Sequence, residues 1–159
     1  MQNLDTVFKA ISPNQFAKNI FQDLLFGEVT SFLQLSFQSQ VLLAHNISLG
    51  ETLKQISCHD NSHSTLLGKA ITLLGGKPTL QTSNNQYFSG KNIAYATNAF
   101  NMLLEDITLK ENMIISYKTS IKKLQTKNLK KLLGQILMQE ENHLEILKNV
   151  IKNFKSQSK

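Results

Sequence analysis

Apolar side chains recur three and four positions apart through four long segments of the chain, the spacing that lines one face of a helix. The first stripe, Ile20, Leu24, Gly27, Ser31, Leu35, Gln38 and Leu42, predicts a helix over about Pro13 to His45, with Ser12 as its cap and Pro13 in its first turn. The second, Leu53, Ile56, Asp60, His63, Leu67, Ala70 and Leu74, predicts a helix from about Leu49 to Leu74. It stops at Gly75-Gly76-Lys77-Pro78, because glycine accepts the left-handed cap and proline cannot continue the helix. A third, about Asn92 to Thr126, carries Ala99, Leu103, Asp106, Lys110, Met113, Tyr117, Ile121 and Leu124. The fourth, about Leu129 to Phe154, carries Leu132, Ile136, Glu140, His143, Leu147, Val150 and Phe154. The polar stretch from Thr79 to Lys91 is too long for a tight turn between antiparallel neighbours. A long middle connection between two short ones predicts an all-α, antiparallel four-helix bundle with a crossover between helices 2 and 3.

Length and composition narrow this further. A chain of 159 residues, 41% hydrophobic and 18% charged, suits one domain spanning 1–159, with a core over about 13–154 and a frayed, disordered tail at 155–159. No basic segment leads into an apolar run at the start, and no stretch of 18 apolar residues occurs, so the expectation is a soluble cytoplasmic protein with no membrane partner. Cys58 has no partner for an internal disulfide and is expected in or near the core, with Met102, Met113 and Met138 as core filler and His45 and His59 at the surface. The net charge of +6 comes from 17 lysines and no arginine, ten of the lysines at Lys118 and beyond. Arginine is the residue suited to bidentate phosphate and base contacts, and these lysines are spread between acids on helix faces, so nucleic acid is disfavoured as a partner. There is no glycine-rich phosphate loop, no Ser-His-Asp ordering and no CxxC.

Two of the helices each place a carboxylate and a histidine three residues apart within an apolar stripe, Asp60 with His63 and Glu140 with His143. One acid-x-x-His is common on a solvated helix. Two, each flanked by Leu or Ile at core spacing, predict a shared polar site in the bundle core, since an unpaired buried carboxylate is costly. Residues three apart share a helix face, and carboxylate with imidazole suits iron, manganese or zinc. Di-metal bundles use such a pair from each of two helices and one carboxylate from each of the others.

The segment ISCHDNSHSTLLGKAITLLGGKP resembles the second helix of ferritin-like proteins, in which Glu-x-x-His leads through an apolar run to Leu-Gly-Gly-x-Pro. The likeness extends through QYFSGKNIAY to LLGQILMQEENHLEILKNVI, over about residues 25 to 154, and is strongest to rubrerythrin-like, manganese-catalase-like or spore-coat-related bacterial members. It implies metal ligands at His63, Glu140 and His143, with Asp60 where the family has glutamate. On the third helix it puts Lys110 at the family's glutamate, with Glu111 one residue away, about 100° round the helix, and Asp106 one turn earlier. On the first it puts Ser31 at the expected glutamate, with Glu28 one turn before. Tyr117, two turns after Lys110, is placed to hydrogen-bond into the polar core or to pack at the helix seam.

Charge separates the readings. Four carboxylates balance two divalent ions, whereas this register supplies two carboxylates and an ammonium that can sit between Asp60 and Glu140. The leading expectation is therefore a ferritin-like protein with an eroded di-metal site and reduced or absent metal chemistry. The alternatives are a working di-iron or di-manganese protein that handles peroxide or oxygen or stores metal, with Glu28 or Glu111 completing the ligands, and a Dps-like DNA-binding assembly. By family analogy the chain is expected to form a homodimer or larger homo-oligomer.

Overall fold

The computed structural model describes residues 4–9 and 11–157, with side chains at 6–9 and 11–154. Of the tail expected to be disordered, 158 and 159 lie outside the described residues. The elements are α1 (Leu4–Lys9), α2 (Gln15–Leu43), α3 (Ile47–Leu73), α4 (Ala99–Lys123) and α5 (Lys127–Gln157), with a single 3-10 turn at Gly90–Asn92. The four long helices form the expected ferritin-like bundle, α2 packing on α3 and α4 on α5 across short connections.

Asparagine starts three of these helices, because its side-chain oxygen takes up an amide the helix leaves unpaired. Asn14 Oδ1 accepts from Ala17 N at 2.9 Å, Asn46 from Leu49 N at 3.1 Å and Asn98 from Asn101 N at 2.9 Å. The first helix thus begins on Asn14 instead of Ser12. The third begins seven residues later than its periodicity suggested, because the segment before Asn98 is tied to α2 by Ala94 N donating to Gln34 Oε1 at 2.9 Å. The short α1 carries no periodic signal of useful length; its Val7 and Phe8 cover the core at one end of the bundle.

The crossover climbs along α2. Gln22 Nε2 donates to the carbonyls of Thr79 and Gln81 at 2.6 and 2.7 Å, Asp23 takes Ser83 N and Oγ at 2.6 and 2.7 Å, and Phe88 meets Phe26 edge-on at 5.8 Å before Ala94 reaches Gln34. From Gln22 to Gln34 the helix rises about 18 Å.

The interior has two apolar regions. One contains Phe21, Leu24, Leu67, Ile71, Leu124, Leu132 and Ile136, the other Leu35, Leu42, Leu53, Leu103 and Leu147. Along every long helix the residues between these groups are polar and buried: Glu28 and Ser31, Asp60 and His63, Asp106 and Lys110, Glu140 and His143. Cys58 and Met138 correct the expectation of burial, both being exposed, because each falls on the outer side of its helix.

The α2–α3 turn requires close approach, since a Cβ at Gly50 would lie 2.7 Å from Leu43 N, and backbone cannot yield as a flexible side chain can. Gly50→Ala is expected to lower stability by about 2 kcal/mol, read as a fall in melting temperature of roughly 4–8 °C.

Candidate functional site

The polar belt is organised around Lys110, fully buried on α4. Its Nζ donates to Asp60 Oδ1 and Oδ2, both at 2.8 Å, and to Glu140 Oε2 at 2.6 Å, so its three protons meet carboxylates from two other helices. Ser31 Oγ donates to Asp60 Oδ2 at 2.7 Å. Burial acts against the ammonium, yet Asp60 and Glu140 outweigh it and raise its pKa above the ordinary lysine value. Burial likewise acts to raise Glu140, but Lys110 and the contacts of His143 and His63 hold it well below the usual carboxylate range. Burial raises the Asp60 carboxyl, and Lys110 and Ser31 pull the other way. With three donors on its two oxygens it stands as the carboxylate.

The second half of the belt is built on Glu28, also fully buried. Tyr117 OH donates to Glu28 Oε1 at 2.5 Å. Glu28 Oε2 faces His63 Nδ1 at 3.4 Å, and the same nitrogen lies 3.1 Å from Glu140 Oε1. Neither contact is aligned as a hydrogen bond, so Glu28 Oε2 and His63 Nδ1 are buried polar atoms without one. Burial, then the neighbouring Glu140, pushes the Glu28 carboxyl up to about 7. His63 behaves oppositely, since burial would lower it but Glu140 and Glu28 raise it to about 10. His63 Nε2 meets Gln139 Oε1 at 2.7 Å.

His143 completes the belt, with Nδ1 3.2 Å from Glu140 Oε1 and 3.6 Å from Asp60 Oδ1. Its Nε2 lies 3.0 Å from Nδ1 of the exposed His59, the two rings 12° from parallel. One turn along α4, Gln34 Nε2 donates to Asp106 Oδ1 at 2.8 Å, while Asp106 Oδ2 and both polar atoms of the Gln38 amide are buried without a hydrogen bond.

The structure thus brings together Asp60, His63, Glu140, His143, Glu28, Ser31, Lys110 and Tyr117. It leaves Glu111 outside: that carboxylate is half-exposed at the surface of α4 and pairs with Lys148 of α5 at 2.6 Å. Glu28 and Ser31 do not compete for one place, since Glu28 faces His63 and Ser31 bonds Asp60. The contacts of Gln139, Gln34 and His59 had no signal in the spacing, because each comes from the edge of its stripe.

The Lys110 ammonium lies between Asp60 and Glu140 and is bonded to both. Ligand atoms of Glu28, Asp60, His63 and Glu140 lie within 4.8 Å of one another, a group able to hold a metal ion, and two of the four residues offer the unpartnered atoms Glu28 Oε2 and His63 Nδ1.

A ferritin-like helical bundle with a central belt of carboxylates and histidines defines the class of this protein. The chain belongs to the rubrerythrin family, whose model matches residues 26–151. Among solved structures it is similar to the wild-type manganese catalase KatB from Anabaena, with a TM-score of 0.84 and 18% identity over 91% of this chain and 74% of that one. A second structure of KatB, from Anabaena PCC7120, matches with the same values. No curated protein matches the chain in sequence.

Asp106 supplies a pH dependence. Burial is the main cause that raises its pKa from 3.8 to about 7, Gln34 acting in the opposite sense. Well below the unfolded value of 3.8 the group is protonated whether folded or unfolded and contributes nothing. As pH rises towards 7 the unfolded chain ionises first, so stability is lost across that window. Asp106→Asn removes the titration, and denaturant unfolding is expected to show the variant gaining up to about 4 kcal/mol on the natural protein between pH 4 and pH 8.

Proposed function

We propose that this rubrerythrin-family protein holds at most one divalent ion, iron or manganese, and that the Lys110 ammonium takes the place of a second. The observation that carries this reading is the pair of contacts from Lys110 Nζ, 2.8 Å to Asp60 and 2.6 Å to Glu140. Paired-metal chemistry depends on two ions a few ångströms apart sharing carboxylates. With one position given to an ammonium, that chemistry is lost, and what is left is a site suited to binding a single ion.

Charge supports the same reading. Without metal, Asp60 and Glu140 are offset by Lys110 and protonated His63, and Glu28 can keep its proton, so the belt is neutral. With one divalent ion, His63 and Glu28 give up their protons and the belt is neutral again. A second ion would leave it two charges positive. Metal and proton therefore compete at Glu28 and His63.

The rival reading, a working peroxide-handling or metal-storing di-metal protein, is favoured by one observation, the Glu28 carboxylate facing His63 at 3.4 Å. Elemental mass spectrometry on protein loaded anaerobically with iron or manganese separates the two. The natural chain is expected to retain one equivalent or less, and Lys110→Glu to approach two. Two equivalents in the natural chain would overturn the Lys110 reading and make peroxide turnover the next assay.

A further inference from the structure

The lysines are concentrated at one end of the bundle. The start of α2 and the end of α3 meet there, Asn14 N donating to Leu74 O at 3.1 Å and the Lys18 side chain lying where a Cβ on Gly76 would go. The α4–α5 turn and α1 close the same end, because Val7, Phe8, Phe21, Leu74, Leu124 and Leu129 share one core cluster. Lys69 Nζ sits 4.3 Å over the Phe8 ring. This pole carries Lys9, Lys18, Lys69, Lys77, Lys122, Lys123, Lys127, Lys130 and Lys131, none in an ion pair among the described residues. Of the acids, Glu51, Glu111 and Glu141 pair with lysines further along the bundle, while Asp5 belongs to α1 and Asp23, held by Ser83, lines a surface pocket with Lys123, so the nine lysines outnumber the acids at this pole. Among these lysines two apolar side chains stand out in solvent, Phe16 at 56% exposure and Leu73 at 37%.

We propose that this pole docks on an anionic phospholipid surface, the lysines against the headgroup phosphates and Phe16 and Leu73 at the acyl boundary. Ammonium groups act as point charges on any array of phosphates, but the exposed Leu73 gains nothing from a nucleic acid, whereas both apolar groups gain from the bilayer interface. The pole is also a bundle end built largely of turns and helix ends. No described helix is long and apolar enough to cross a membrane, and a peripheral contact needs none. The metal belt, at mid-bundle, is independent of this surface.

Sedimentation of the full chain with vesicles tests the proposal. Binding is expected to phosphatidylcholine vesicles carrying phosphatidylglycerol, not to phosphatidylcholine alone, and to weaken with salt. Combined Lys122→Gln, Lys123→Gln, Lys127→Gln and Lys131→Gln, all exposed, should weaken it about a hundredfold or more, near fivefold per lysine. Phe16→Ser should cost about tenfold without loss of helix by circular dichroism. The proposal is overturned by no binding to the anionic vesicles, by unchanged binding of the lysine variant or of Phe16→Ser, or by tighter binding to duplex DNA at the same ionic strength.

Discussion

A lysine ammonium buried between two carboxylates is the interaction on which the interior depends. Such a triad is stable only while every member is present, because removing one leaves a charge stranded in low dielectric, at a cost of about 3–5 kcal/mol. It also fixes register. Asp60, Lys110 and Glu140 come from α3, α4 and α5, so a slip of any of these helices by one turn would separate the charges. The apolar regions on either side are rich in Leu and Ile, between which swaps cost less than about 1.5 kcal/mol. Specificity in this bundle thus lies in its polar layer.

Much of the fold was legible because it rests on periodicity. The four stripes named the helices and, through the two acid-x-x-His pairs, the level at which the polar belt lies; Lys110 between Asp60 and Glu140 came from the family resemblance together with charge. The helix ends were less legible. Capping is a local choice among several polar residues, and Ser12 and Asn14 look alike until Asn14 is seen accepting from Ala17. The start of α4 was missed because Ile93 and Ala96 continue an apolar spacing, while a tertiary bond, Ala94 to Gln34, holds that segment out of the helix.

The rest of the site was hidden for a different reason. Aligning Ser31 with the expected glutamate treats the first helix as contributing one residue to the belt, whereas it contributes two in successive turns, each serving a different partner. Glu28 reaches His63 and Tyr117, and Ser31 reaches Asp60. A shared face three residues wide can supply both, but spacing alone does not say which neighbouring helix each will meet. Glu111 shows the converse, a carboxylate adjacent to Lys110 in sequence yet drawn to Lys148 on the surface.

Asp106 raises the question of why an acid one turn from Lys110 is not its partner. Lys110 already has three acceptors for its three protons, so Asp106 is left with Gln34, and burial raises its pKa to about 7, which favours its neutral form below that pH. A neutral Asp106 adds no charge to the belt, and a proton on its unpartnered Oδ2 would give that oxygen a donor to offer. Gln34 then joins two unlike things, accepting from the crossover at Ala94 and donating to Asp106. The crossover is thereby fastened to Asp106, while the Lys110 ammonium is balanced by Asp60 and Glu140.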